Sequence, residues 1–253
     1  MKTIFNLFVI VSLVLLSLPG FAQKDPCSRT IGKITKDNKA PISGACDTPY
    51  DTGNEYDSVG IWHNLAMEYI AAHSTFETWE AAYETAGKFI HQTFGANCTA
   101  VPGMPDAQTV RNATGDPAGL RDLVTKTPFS EKSKSYLSRL LDLFTDPARH
   151  YAAYCDLKTE IVALERTIRA DAAIDAIELA NLQSITSVAR HSAHYWYNYF
   201  LSASAPAKFR LFRWLFVAVF DVGGAIAGSL LGPVGTVTTA VLFSAGAAGA
   251  TTP

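Results

Sequence analysis

Charge is nearly missing from the end of this 253-residue chain: Leu215 to Ala250 holds a single ionisable side chain, Asp221, in 36 residues. Such a stretch cannot stay hydrated as a free tail and must be covered by lipid, by another chain or by the protein itself. Glycine and proline are absent from Ala148 to Ala205, which excludes a loop-rich domain there and calls for helix. There is no Cys-x-x-Cys pair, so neither a thioredoxin-type redox pair nor a zinc knuckle is indicated. Gly-x-Ser-x-Gly, His-Glu-x-x-His and phosphate-loop motifs are also missing. No excess of positive charge exists either. The formal net charge is -2, and nucleic acid is not an expected partner, because wrapping phosphates requires a basic surface.

What is present starts with an address. Met1 to Ala22 has a basic start at Lys2, an apolar run from Ile4 to Leu18, then Pro19-Gly20-Phe21-Ala22 before polar Gln23. Small residues at Gly20 and Ala22 suit signal-peptidase cleavage after Ala22, so the chain reads as exported: periplasmic, at the outer envelope or extracellular. Export places Cys27, Cys46, Cys98 and Cys155 in an oxidising space, where an even count favours bridges. Pairing Cys27 with Cys46 and Cys98 with Cys155 closes the shorter loops; free buried thiols are the alternative.

Four regions follow: the signal peptide at 1–22, an extended disulfide-held arm at 23–57, a helical body at 58–205 and a hydrophobic tail at 206–253. The fold class is all-α, a helical bundle body with a C-terminal hydrophobic glycine-zipper hairpin. Asp57 or Ser58 caps a first helix with Val59, Trp62, Ala66, Tyr69 and Ile70 on one stripe. Ser74 with Glu77 forms a capping box for a second, whose inward residues are Phe76, Trp79, Ala82, Tyr83, Ala86 and Ile90. Asn97 to about Lys126 reads as loop. A third helix from Ser130 carries Tyr136, Leu137, Leu140, Leu141 and Phe144, and Asp146-Pro147 begins the next. One helix from Ala148 to Ala205 would measure roughly 87 Å at 1.5 Å per residue, so a break is expected, at Asn181 to Ser184.

The charge is divided unevenly. Gln23 to Glu178 carries 16 basic and 22 acidic residues, whereas Leu179 to Pro253 carries Arg190, Lys208, Arg210 and Arg213 against Asp221. In the tail, Gly224, Gly228 and Gly232 recur every fourth residue, which lets another helix approach closely on that face. Three readings are open for it. It is a transmembrane stop; or a hairpin that enters a membrane from the exported side with Trp214, Arg210 and Arg213 at the headgroups; or a core element or self-association surface. The functional expectation is a non-enzymatic protein that associates with membrane lipid or with another copy through this tail. A soluble binding module whose tail is core is the alternative, and a metal-dependent hydrolase the weaker one.

No catalytic residue, metal site or cofactor is expected. His63 and Glu68 lie five positions apart, about 140° around a helix, and do not chelate. His191 and His194 have i, i+3 spacing but no third ligand nearby, and read as part of an aromatic seam with Tyr195, Trp196, Tyr197, Tyr199 and Phe200.

The segment Tyr56-Asp57-Ser58-Val59-Gly60-Ile61-Trp62-His63-Asn64-Leu65-Ala66-Met67-Glu68-Tyr69-Ile70 resembles the opening of a group of uncharacterised exported bacterial proteins. That resemblance implies a signal peptide, an α-helical middle and a Gly/Ala-rich end, with no activity attached.

Overall fold

A computed structural model describes residues 48–74, 79–94, 118–146, 148–149, 151, 153–202 and 207–251. Among the described residues there are eight helices and no strand, an all-α architecture. They are α1 (Asp57–Ser74), α2 (Trp79–Phe94), α3 (Ala118–Lys126), α4 (Glu131–Thr145), α5 (Tyr154–Ala170), α6 (Ala176–Ser202), α7 (Ala207–Ser229) and α8 (Gly232–Thr251).

The least amphipathic helix is the most enclosed. Every residue of α8 from Val234 to Ala248 is buried. A helix apolar on all sides has no face to offer water, so it occupies the interior while amphipathic helices surround it. Its hydroxyls do not prevent this: Thr236 Oγ1 donates to the Gly232 carbonyl at 3.0 Å and Thr239 Oγ1 to the Gly235 carbonyl at 2.6 Å. α7 lies against α8 in the opposite direction, α6 against α7, and α1 and α2 pack on α8. α1 and α6 run side by side in the same direction, with Gly60 beside Ser187, Asn64 beside His191 and Met67 beside Tyr195.

Glycine decides how closely α7 and α8 approach. A Cβ on Gly224 would stand 2.5 Å from the Thr239 carbonyl oxygen, and one on Gly228 would stand 2.1 Å from the Gly235 oxygen. Gly232 does not share their face. It opens α8 with φ 78°, the left-handed region, and so makes the turn instead of the contact. We therefore expect Gly228→Ala to destabilise the fold by about 1–3 kcal/mol, because backbone cannot yield as a side chain can. Gly87 on α2 has nothing within 4 Å of its would-be Cβ. Gly87→Ala should stabilise by about 0.5–1 kcal/mol through helix propensity. Urea midpoints of the two variants check both signs, and a neutral Gly228→Ala would refute the close contact.

Several expectations are corrected. No helix among the described residues is long and apolar enough to cross a membrane; Lys208, Arg210, Arg213 and Asp221 interrupt α7, and threonines, serine and glycines dilute α8. The break after residue 148 falls at Asp171 to Asp175, not at Asn181 to Ser184. Asp171 ends α5, with its Oδ1 accepting from the Ala173 N–H, and Asp175 Oδ1 caps α6 by accepting from the Ile177 and Glu178 N–H groups. α6 runs unbroken through 181–184 because Leu182 and Ile185 are both buried. α5 starts only at Tyr154; Asp146 terminates α4, and its Oδ1 accepts from Ala148 N. A short helix, α3, lies within the expected loop and is anchored by Leu120 and Val124. α4 starts beside Ser130, where the helical pattern returns, and Ser130 caps it, accepting from Ser133 N at 3.2 Å.

The signal peptide, the arm up to residue 47 and Glu77 of the capping box lie outside the described residues. Ser74 itself ends α1, donating to the Ile70 carbonyl. Cys155, in the first turn of α5, is disulfide-bonded. Cys27, Cys46 and Cys98 lie outside the described residues, and the expected pairing with them.

Candidate functional site

Two lone charges in uncharged sequence meet partners at the centre of the molecule. Arg190 is the one charged residue between Glu178 and Lys208, and Asp221 the one charged residue from Leu215 to Ala250. Both are fully buried, so each must be paired or hydrogen-bonded.

Arg190 on α6 points between α1 and α5. Its Nη2 donates to Asp57 Oδ1 at 2.7 Å and to Glu165 Oε1 at 3.2 Å, and its Nη1 donates to the Pro49 carbonyl. Asn54 Nδ2 donates to Glu165 Oε1 at 2.8 Å and to the Gln183 carbonyl at 2.9 Å. His191 Nε2 lies 3.1 Å from Asp57 Oδ1. Burial pulls the Asp57 carboxyl upward, but hydrogen bonding and charge from His191, then Arg190, outweigh it and hold it below its ordinary value. For Glu165 burial wins over Arg190 and Asn54, and its carboxyl is raised. His191 is lowered to about 4, chiefly by burial, with Arg190 and His194 adding to the effect and Asp57 opposing it. The two carboxylates on one guanidinium thus differ: Asp57 is the ionised partner, and Glu165 holds a proton more readily.

A second centre begins two residues beyond Arg190 on α6. Ser192 Oγ donates to Asp221 Oδ2 at 2.6 Å and Trp196 Nε1 donates to the same oxygen at 3.0 Å. Ser244 Oγ of α8 lies 3.1 Å from that indole nitrogen. His63 Nε2 on α1 lies 3.3 Å from Asp221 Oδ2, both side chains fully buried. Asn64 joins the two centres. Its Nδ2 donates to the His191 carbonyl at 3.0 Å, which leaves its Oδ1 to accept from His63 Nδ1 at 3.1 Å. The His63 Nε2 edge then faces the Asp221 carboxylate. Gly60 makes this arrangement fit. A Cβ there would stand 2.5 Å from the His191 ring and 2.6 Å from the Ser187 carbonyl.

Among the described residues, no group of three His, Cys, Asp or Glu is placed to hold a metal ion. His191 and His194 turn apart: His191 goes to Asp57, while His194 lies 5.0 Å from the Tyr154 ring centroid and bonds Asn198. Tyr154 in turn meets Tyr197, while Trp196 contacts Tyr195, Tyr199 and Phe200. His63 is buried and Glu68 exposed, on different faces of α1.

The tail residues expected to meet lipid are placed differently. Trp214 is 1% exposed and stands edge-on to Tyr197 at 5.4 Å, and Arg213 sits over the Phe200 ring at 5.8 Å. Arg210 belongs to α7, with its side chain outside the described ones.

Sequence offers Asp57 as a helix cap, His63 as a residue that does not chelate and Arg190 and Asp221 as isolated charges, and it assigns no partner to any of them or to Asn54 and Glu165. The available signal was the isolation of Arg190 and Asp221 in uncharged sequence; for Glu165, one acid among many on α5, there was none.

No family model, curated protein or solved structure matches the chain. Its functional reading therefore rests on this geometry.

Proposed function

We propose that the protein is an exported, non-enzymatic helical binding module that acts through its outer surface, with α7 and α8 serving as its own core. The observation that carries this reading is the enclosure of α8 on all sides, together with Asp221 tied to α1 and α6. An anchor or self-association surface would need an apolar face turned outward, and these helices spend theirs inside the body. The close backbone approach at Gly224 and Gly228 supports a glycine-zipper hairpin formed within one chain. Export rests on the character of Met1 to Ala22.

Flotation with anionic and zwitterionic vesicles tests the proposal. The mature full-length chain should remain in the unbound fraction at neutral pH and sediment as a monomer. Co-flotation with vesicles would restore the membrane reading, and a dimer broken by Gly228→Ala would restore self-association.

A further inference from the structure

The non-helical residues 48–56 cross the charged centre between α5 and α6, and they are held there by polar contacts. Lys158 Nζ donates to the Thr48 carbonyl and Arg190 to that of Pro49. Arg169 lies 3.6 Å from Asp51, and Asn54 is bonded to Glu165 and Gln183. Tyr50 meets the His191 ring edge-on at 5.5 Å. From this segment only Tyr56 packs against the hydrophobic core, and Pro49 is buried, whereas α1, α6, α7 and α8 are joined by that core. The segment is therefore held mainly by ion pairs and hydrogen bonds, with Pro49 and Tyr56 as its apolar contacts, and the body mainly by apolar burial.

We propose that residues 48–56 form an acid-released latch, which leaves the cleft between α5 and α6 while the helical core remains closed. Opening would uncover Arg190, His191 and Glu165 and free the cations of α5 and α6 from their backbone acceptors. The charged and titratable groups facing the latch are Asp57 from α1, Tyr154, Lys158, Glu165 and Arg169 from α5, and Arg190, His191 and His194 from α6. The latch itself brings Tyr50, Asp51 and the exposed Glu55.

Acid acts on these groups with opposite signs. His191 titrates near 4 when closed, against 6.5 when solvated, so the open form binds more protons across that window and falling pH favours opening. Asp57 keeps His191 and Arg190, the partners that lower it, when the latch leaves, and so does not drive release. Glu165, raised when closed, works the other way as the pH falls to its ordinary 4.5, and its opposition is spent below that. The latch should hold through mildly acidic pH and release below about 4.5.

Hydrogen exchange on the full chain from pH 7 to 3, corrected for the intrinsic rate, reads this peptide by peptide. Protection of residues 48–56 should fall at higher pH than protection of α6 and α8. Glu165→Gln removes the opposing group and should move latch release upward, toward the imidazole range; His191→Asn should move it downward. Loss of protection in latch and core together, at one pH, would show global acid unfolding and overturn the proposal. So would a latch still protected at pH 3. The unsubstituted chain alone decides between these outcomes if a variant fails to fold.

Discussion

A chain ending at Arg213 is expected to show no cooperative unfolding transition. Trp214, Val217, Val219, Phe220, Val222, Ile226, Val237, Val241 and Leu242 are all buried, and they supply the surface on which α1, α2, α4 and α6 pack. Burying a large apolar side chain contributes about 1.5–3 kcal/mol. Losing this set therefore exceeds the roughly 5–15 kcal/mol by which a domain of this kind is stable. The remaining helices would expose their inner faces and collapse without specific packing, keeping part of their far-ultraviolet dichroism but binding a hydrophobic dye. Thermal melts of the shortened and full-length chains decide it. A sharp melt in the shortened chain would show that the body folds alone and would return the tail to a role outside the core.

Arg190→Met is expected to destabilise the fold by about 3–5 kcal/mol, the range for breaking a buried ion pair by removing one partner. The substitution keeps much of the apolar stem but leaves Asp57 and Glu165 facing each other without a cation, and it strips the Pro49 carbonyl of its donor. Adding Glu165→Leu and Asp57→Asn should recover a substantial part of that loss, because an uncharged, well-packed site carries no desolvation penalty. Urea denaturation of the single and triple variants, analysed as a thermodynamic cycle, measures the coupling. A single variant within about 0.5 kcal/mol of the parent would mean that water reaches the guanidinium and that the centre is not sealed.

The helical character of the chain was legible from periodicity, and so was the start of α4 at Ser130. Boundaries were less so wherever aspartate ended one helix and capped the next. Asp171 and Asp175 break a run without glycine or proline, and their role depends on hydrogen bonds to main-chain N–H groups two or three residues on. The short helix α3 was hidden by Pro117 and Gly119, which read as loop until Leu120 and Val124 are seen buried against neighbouring helices. The polar centre was the least legible part. Asn54, Asp57, Glu165 and Arg190 are ordinary residues in their local sequence, and their partnership spans up to 136 positions of chain.

Taken by itself, the sequence determined that this is a helical protein and that Leu215 to Ala250 has to be covered, since a stretch with one charge cannot remain in water. Tertiary structure alone decided what covers it. The covering is the body's own helices, because their apolar stripes have no better partner than the evenly apolar α8, and because Asp221 finds Ser192, Trp196 and His63 only where α7 packs on α6 beside its neighbour α1. Pairing of sparse charges is a property of three-dimensional distance, and no local pattern encodes it.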